Sequence, residues 1–259
     1  MKQLMRYEYY RIKNNKLVYV IFVVCCFITL FFCSSDYLSD PMIPGTPNNI
    51  LGIYMNEIAD VGIVVLIIAG CSSIYLFGEE FSTRTLNLEL LAGYNRRTIY
   101  ISHCIKTFLL TGGIISVSLF IGCLKFITKY AKGFRIEDIA YLVRSVFLIY
   151  ILAFSMMSFC MIFAVLLQDT AKSTVFTFIF LFVSCYIMAA LVSGSSHLYL
   201  AYEGKKSFLL RLYPPYLWRW SLKQNLSMTD MIGTFIIAGG WSSIFIWIGY
   251  SIFKKKELK

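Results

Sequence analysis

Gly78-Glu-Glu-Phe-Ser-Thr-Arg-Thr-Leu-Asn-Leu-Glu-Leu-Leu-Ala-Gly-Tyr-Asn-Arg-Arg-Thr-Ile-Tyr-Ile-Ser-His-Cys-Ile-Lys106 is the stretch from which the rest of the chain is read. It separates two long apolar runs, yet it carries Glu79, Glu80, Arg84, Glu89, Arg96 and Arg97. Each of these charges would cost roughly 3 kcal/mol at a bilayer centre, so the stretch belongs in water or at a membrane surface. Its spacing is that of built structure. Glu80 and Arg84 stand four apart with the acid first, the better order for a helical ion pair. Leu86 and Leu90 are also four apart, Gly93 suits a helix stop, and Asn95 suits an N-cap. The spacing predicts a short helix from Phe81 to Ala92, a sharp corner, and a new helix starting near Arg96.

The flanking composition says what the corner is set in. Of 259 residues, 58% are hydrophobic and 15% charged, where a soluble domain has about half and about a quarter. Lipid is the solvent such a chain expects. The formal charge of +10 would raise nucleic acid as a partner of a soluble protein. Here no basic face with interleaved aromatics stands out, and the basic residues serve to orient spans and meet anionic headgroups. Nucleic acid is therefore not expected. The eight cysteines, Cys25, Cys26, Cys33, Cys71, Cys104, Cys123, Cys160 and Cys185, lie in or beside apolar runs without a C-x-x-C pair, and read as small hydrophobes. Cys33 and Cys123 are the one pair placed to meet near the outer surface.

Six apolar segments are long enough to cross a bilayer, at about 17–34, 58–78, 101–127, 141–167, 173–192 and 231–253. The first is too long for a signal-peptide core and no A-x-A site follows it, so it is read as uncleaved. Before it, Lys2, Arg6 and Lys13 share one side of a helical wheel and Met1, Met5 and Ile12 another, a basic amphipathic helix for the inner surface. Glu8 and Arg11 flank its apolar side. Gly112, Gly113 and Gly122 in the third segment, and Gly233, Gly239, Gly240 and Gly249 in the last, are candidate close-packing positions. Between the fifth and sixth segments, Pro214 and Pro215 are expected to stop a helix, and the aromatics beside Arg219 suit an interface.

Charge sets the orientation. The N-terminal stretch is basic, and the loop 34–56 has three prolines and no Lys or Arg. By the positive-inside rule the first lies inside and the second outside. The reading is an all-α membrane protein: one transmembrane domain over 1–259, multi-pass in the plasma membrane, both termini cytoplasmic.

Glu80-Phe81-x-x-x-Thr85, then Leu90-Leu91, then Gly93-x-x-Arg96-Arg97, with Ile101 and Lys106, resembles the first cytoplasmic loop of ABC-2 type permeases, the membrane subunits of ATP-binding-cassette exporters. In the family's common pattern Gly precedes the Thr. Arg84 takes that place here, a departure that bears on the local turn. The resemblance implies a cytoplasmic coupling helix between spans two and three, docking on a separate ATPase through Glu79, Glu80, Phe81, Arg84, Thr85, Leu86, Leu90, Gly93, Arg96 and Arg97. It implies a second, smaller inner contact at Gln168, Asp169 and Lys172, and short re-entrant or interfacial helices between spans five and six. It also implies two partners in the membrane assembly: cytoplasmic ABC ATPase subunits and a second permease, identical or related. Small basic permeases of this kind often serve antimicrobial-peptide export or self-protection.

Several chemistries are missing from the sequence. There is no G-x-x-x-x-G-K-[ST] loop; Gly204-Lys205-Lys206-Ser207 comes near, but Tyr199 stands where the first Gly should be. ATP and magnesium would belong to the partner ATPase, and no cofactor is expected in this chain. His103 and His197 stand in unrelated places, so no metal site is expected. No G-x-S-x-G elbow occurs. Ionisable residues deep in the spans are nearly lacking, which speaks against a proton relay. The function these readings imply is a permease subunit, not an enzyme, forming the export pathway for a hydrophobic or amphipathic cargo such as a peptide, antibiotic or lipid-like molecule. A membrane-embedded enzyme or assembly factor without an ATPase, and a secondary transporter, are the alternatives.

Overall fold

The structure, a computed structural model, describes residues 2–32, 50–130, 136–193, 212–221 and 226–256. Among them every regular element is an α-helix. In chain order these are α1 (Lys2–Asn14), α2 (Lys16–Phe32), α3 (Ile50–Ser82), α4 (Thr85–Leu91), α5 (Arg96–Tyr130), α6 (Ile136–Leu167), α7 (Thr170–Ser193), α8 (Pro214–Trp220) and α9 (Met228–Lys255).

Five stretches are long and apolar enough to cross a membrane: Val61–Ser82, Arg96–Lys125, Ile139–Leu167, Thr170–Ile187 and Met228–Lys255. The expected first span is different. α2 has 17 residues, about 26 Å at 1.5 Å per residue against a hydrocarbon core of about 30 Å. It counts toward a sixth crossing only together with α1, from which it bends by 62°. Asn15 makes that bend, its side chain accepting from Leu17 N at 2.9 Å as the N-cap of α2. A multi-pass membrane protein is the solution these helices suit. Tyr19, Val23, Phe27 and Phe31 of α2, Phe178, Phe182 and Tyr186 of α7, and Phe235, Ile236 and Trp247 of α9 all stand exposed. Water would not tolerate so continuous an apolar surface.

α3 and α6 form the middle of the bundle, α3 against α5 and α7, and α6 against α9. Small residues permit the closest approaches. A Cβ on Gly70 would come within 2.9 Å of Leu181 and 3.0 Å of Met157, and one on Gly78 within 2.9 Å of the Thr170 backbone. One on Gly249 would collide with the Tyr100 hydroxyl. Gly233, Gly239 and Gly240 have nothing within 4 Å of such a Cβ among the described residues.

Pro214 opens α8, as a residue without an N–H fits the first turn; the segment before Leu212, which the prolines were expected to end, lies outside the described residues. Leu217 and Trp218 are buried, with α3, α6, α7 and α9 around the helix. The loop 34–56 up to Asn49, the segment 194–211 with His197, Lys205 and Lys206, and Cys33 fall outside the described residues, as does the Cys33–Cys123 pairing. The remaining seven cysteines are free thiols.

Contacts at the ends of the helices gather the corners onto one end of the bundle. Ser82 Oγ lies 3.1 Å from Thr170 Oγ1, joining the end of α3 to the start of α7. Arg96 at the start of α5 donates to the carbonyls of Phe253, Lys254 and Lys256 at 3.2, 3.2 and 2.8 Å, closing the end of α9. Lys256 donates to the Leu166 carbonyl at the end of α6. Arg11 of α1 reaches Glu80 at the end of α3. α2 leads away from this end, and its Leu30 carbonyl accepts from Lys125 near the far end of α5 at 2.6 Å.

Candidate functional site

α3 does not end where the charges begin. It continues through Glu79 and Glu80 to Ser82, where Thr83 closes it, its N–H and its hydroxyl each donating to the Glu79 carbonyl at 2.8 Å. Arg84 then turns the chain with φ 58° and ψ 20°, the left-handed conformation that favours glycine. The resemblance puts Gly at this very place, and the structure shows why a Gly would suit it. α4 follows and ends in a Schellman motif: Tyr94 N donates to Glu89 O at 3.2 Å, Gly93 N to Leu90 O at 3.0 Å, and Gly93 has φ 87°. The stop at Gly93 and the helix start after Asn95 are as expected. The helix itself is shorter than Phe81–Ala92, because Thr83 and Arg84 form the turn.

That turn breaks the expected pair. Glu80 and Arg84 share no helix, and Arg84 is exposed while Glu80 is fully buried. Glu80 instead sits in an ion network drawn from four helices. Its Oε2 lies 2.7 Å from His103 Nδ1 of α5, and its Oε1 lies 3.1 Å from Arg11 of α1 and in contact with the Lys106 ammonium. Lys106 is 2.6 Å from Glu8 Oε2 of α1. His103 Nε2 lies 3.4 Å from Glu89 Oε2 of α4. Carboxylates only accept and both ring nitrogens face one, so the cationic imidazolium, with two donors, fits the site. Three acids then meet Arg11, Lys106 and His103, and charge balances in a place where an unpaired ion would be very costly. Phe77 stacks on His103 at 5.1 Å and packs at a tilt against Phe81 at 5.3 Å, on the bundle-core side of the network.

The other predicted site residues divide between anchoring and display. Phe81 and Leu86 are buried, and Leu90 packs against the core. Thr85 is half-buried, its hydroxyl 2.8 Å from that of Thr83. Glu79 is half-buried and acts through its backbone carbonyl. Arg96 caps the end of α9, while Arg97 is exposed. What α4 displays is Leu88, 65% exposed, and Leu91, 84% exposed. They are three apart and so share a face, beside Arg84. The residues of the expected second contact adjoin the first: Gln168 has φ 50°, Asp169 caps α7 by accepting from Lys172 N at 2.9 Å, and Lys172 is exposed.

The network holds the residues that the sequence did not point to. Glu8, Glu89 and His103 even bring ligand-type atoms within 4.8 Å of one another, so the histidine is not isolated as its spacing suggested. As a metal site the group fits poorly. The Lys106 ammonium already lies against Glu8 and Glu80, supplying the positive charge that a metal would bring. No protein-family model and no curated protein matches the chain.

Proposed function

We propose that the chain is the permease subunit of an ABC-2 type exporter and that the corner around α4 is where a cytoplasmic ATPase grips it. The observation that carries this is the division of labour on one short helix. Leu86 and Glu89 fasten α4 to the bundle, and Leu88 and Leu91 are left as bare apolar side chains on the polar end. A soluble partner covers such a face; the helix gains nothing by leaving it wet. The ion network then passes a push on α4 through Glu89 to α5, and through Glu80 and Lys106 to α3 and α1, moving four elements together. In this reading six spans cross the plasma membrane, counting α2, both termini are cytoplasmic, and α8 is re-entrant. A second permease packs alongside, ATP and magnesium sit on the partner ATPases, and the cargo is hydrophobic or amphipathic. Antimicrobial-peptide export or self-protection is the specific form suggested by the resemblance.

The buried His103 network favours one other reading, a secondary transporter that moves protons through it. Against this stands its position at one end of the bundle beside the corner, and not at mid-depth where such transporters bind. Co-expression with candidate cytoplasmic ABC ATPases separates the two. The proposal expects co-purification and ATP hydrolysis that depends on this chain. Proton-coupled uptake in vesicles with no ATPase bound would overturn it.

A further inference from the structure

α1 roofs a cavity of about 260 Å3 between itself, α2 and α5. Met5, Ile12, Phe22, Leu109 and Leu110 make its walls, and the Glu8–Lys106 pair closes its inner end. Its apolar walls give water few partners. Leu109 is 62% exposed, so the cavity opens along the flank of α5 that faces lipid. Tyr9 stands at the opening, 67% exposed. Arg6 and Lys13 lie three before and four after Tyr9, on the same face of α1, and both are exposed. No salt bridge involves either among the described residues.

From this we infer that the cavity is a site for one anionic phospholipid, with an acyl chain between α1 and α5 and the phosphate between Arg6 and Lys13. An apolar slot opening onto hydrocarbon takes a chain, and two exposed cations on the helix face of Tyr9, which stands at its opening, take an anionic head. The site lies under the helix that the ion network ties to α4, so the bound lipid braces α1 from the side opposite Arg11 and Glu80. The inference rests on the chain being embedded in a membrane and not on the ATPase.

Native mass spectrometry of the full chain in detergent, titrated with phosphatidylglycerol and separately with phosphatidylcholine, tests it. The expected result is one tightly retained phosphatidylglycerol, preferred over phosphatidylcholine by at least about 10-fold. The exposed double variant Arg6→Gln/Lys13→Gln should bring the two lipids to parity without changing the melting temperature. Met5→Trp, which fills the slot, should weaken retention of both. Excess inorganic phosphate should leave the lipid in place. Equal retention of both lipids by the wild type, an unchanged preference in the double variant, or displacement by phosphate would overturn the inference.

Discussion

Glu80 Oε2 lies 2.7 Å from His103 Nδ1, two residues from different helices and both almost wholly buried. This contact, and not a surface pair with Arg84, fastens the polar corner. Removing one partner of a buried ion pair strands the other and costs about 3–5 kcal/mol. Glu80→Ala is therefore expected to lower the melting temperature in detergent sharply, while Arg84→Ala leaves stability within about 0.5 kcal/mol of the wild type. Equal effects of the two would return the corner to a simple surface helix.

The left-handed turn at Arg84 stores strain that glycine would not. The conformation costs a side-chain residue about 1–2 kcal/mol, against the 0.5–1 kcal/mol that glycine loses in chain freedom. Arg84→Gly should thus stabilise the protein slightly, by up to about 1 kcal/mol. Gly93→Ala, at φ 87°, should destabilise it by a similar amount. Thermal unfolding of the two variants side by side, with opposite signs, is the check.

Arg96 donates to three carbonyls at the end of α9, hydrogen bonds that a cation at a helix C-terminus makes favourably. Arg96→Gln should cost about 1.5–3 kcal/mol, as loss of a charged hydrogen bond does, and should expose the C-terminal turn to limited proteolysis. Arg97→Gln, at an exposed neighbour, should do neither.

Much of this architecture is legible in the residues. Apolar runs mark the long helices because bilayer thickness sets their length, and Gly93 marks the end of α4 because the Schellman turn demands its φ. The ion network is not legible, for a physical reason. A charge beside an apolar run reads as a solvated end unless its partner is known, and the partners lie up to 98 positions apart, from Glu8 to Lys106. Two traces of it are visible. Glu8 and Arg11 mar the amphipathic wheel of α1, and they are the residues that tie α1 to the bundle by ion pairs. The spacing of His103 and Lys106, three apart on one helix face, is the matching trace on α5. The Glu80–Arg84 spacing misled because four residues make a pair only where the helix continues, and Thr83 ends it. Gly239 and Gly240 meet no neighbour among the described residues, because small residues permit close packing without requiring it.

The most direct measurement for the grip on α4 is ATP hydrolysis by the co-purified ATPase in vesicles, with wild-type chain and with Leu91→Asp. Leu91 is 84% exposed, so the substitution should leave insertion and melting temperature unchanged. Loss of a central apolar contact of this kind costs about 2 kcal/mol of binding, or roughly 30-fold in affinity. A fall of that order in the ATPase concentration dependence of stimulated hydrolysis is the predicted result. Stimulation by Leu91→Asp indistinguishable from the wild type, at limiting ATPase, would contradict the account.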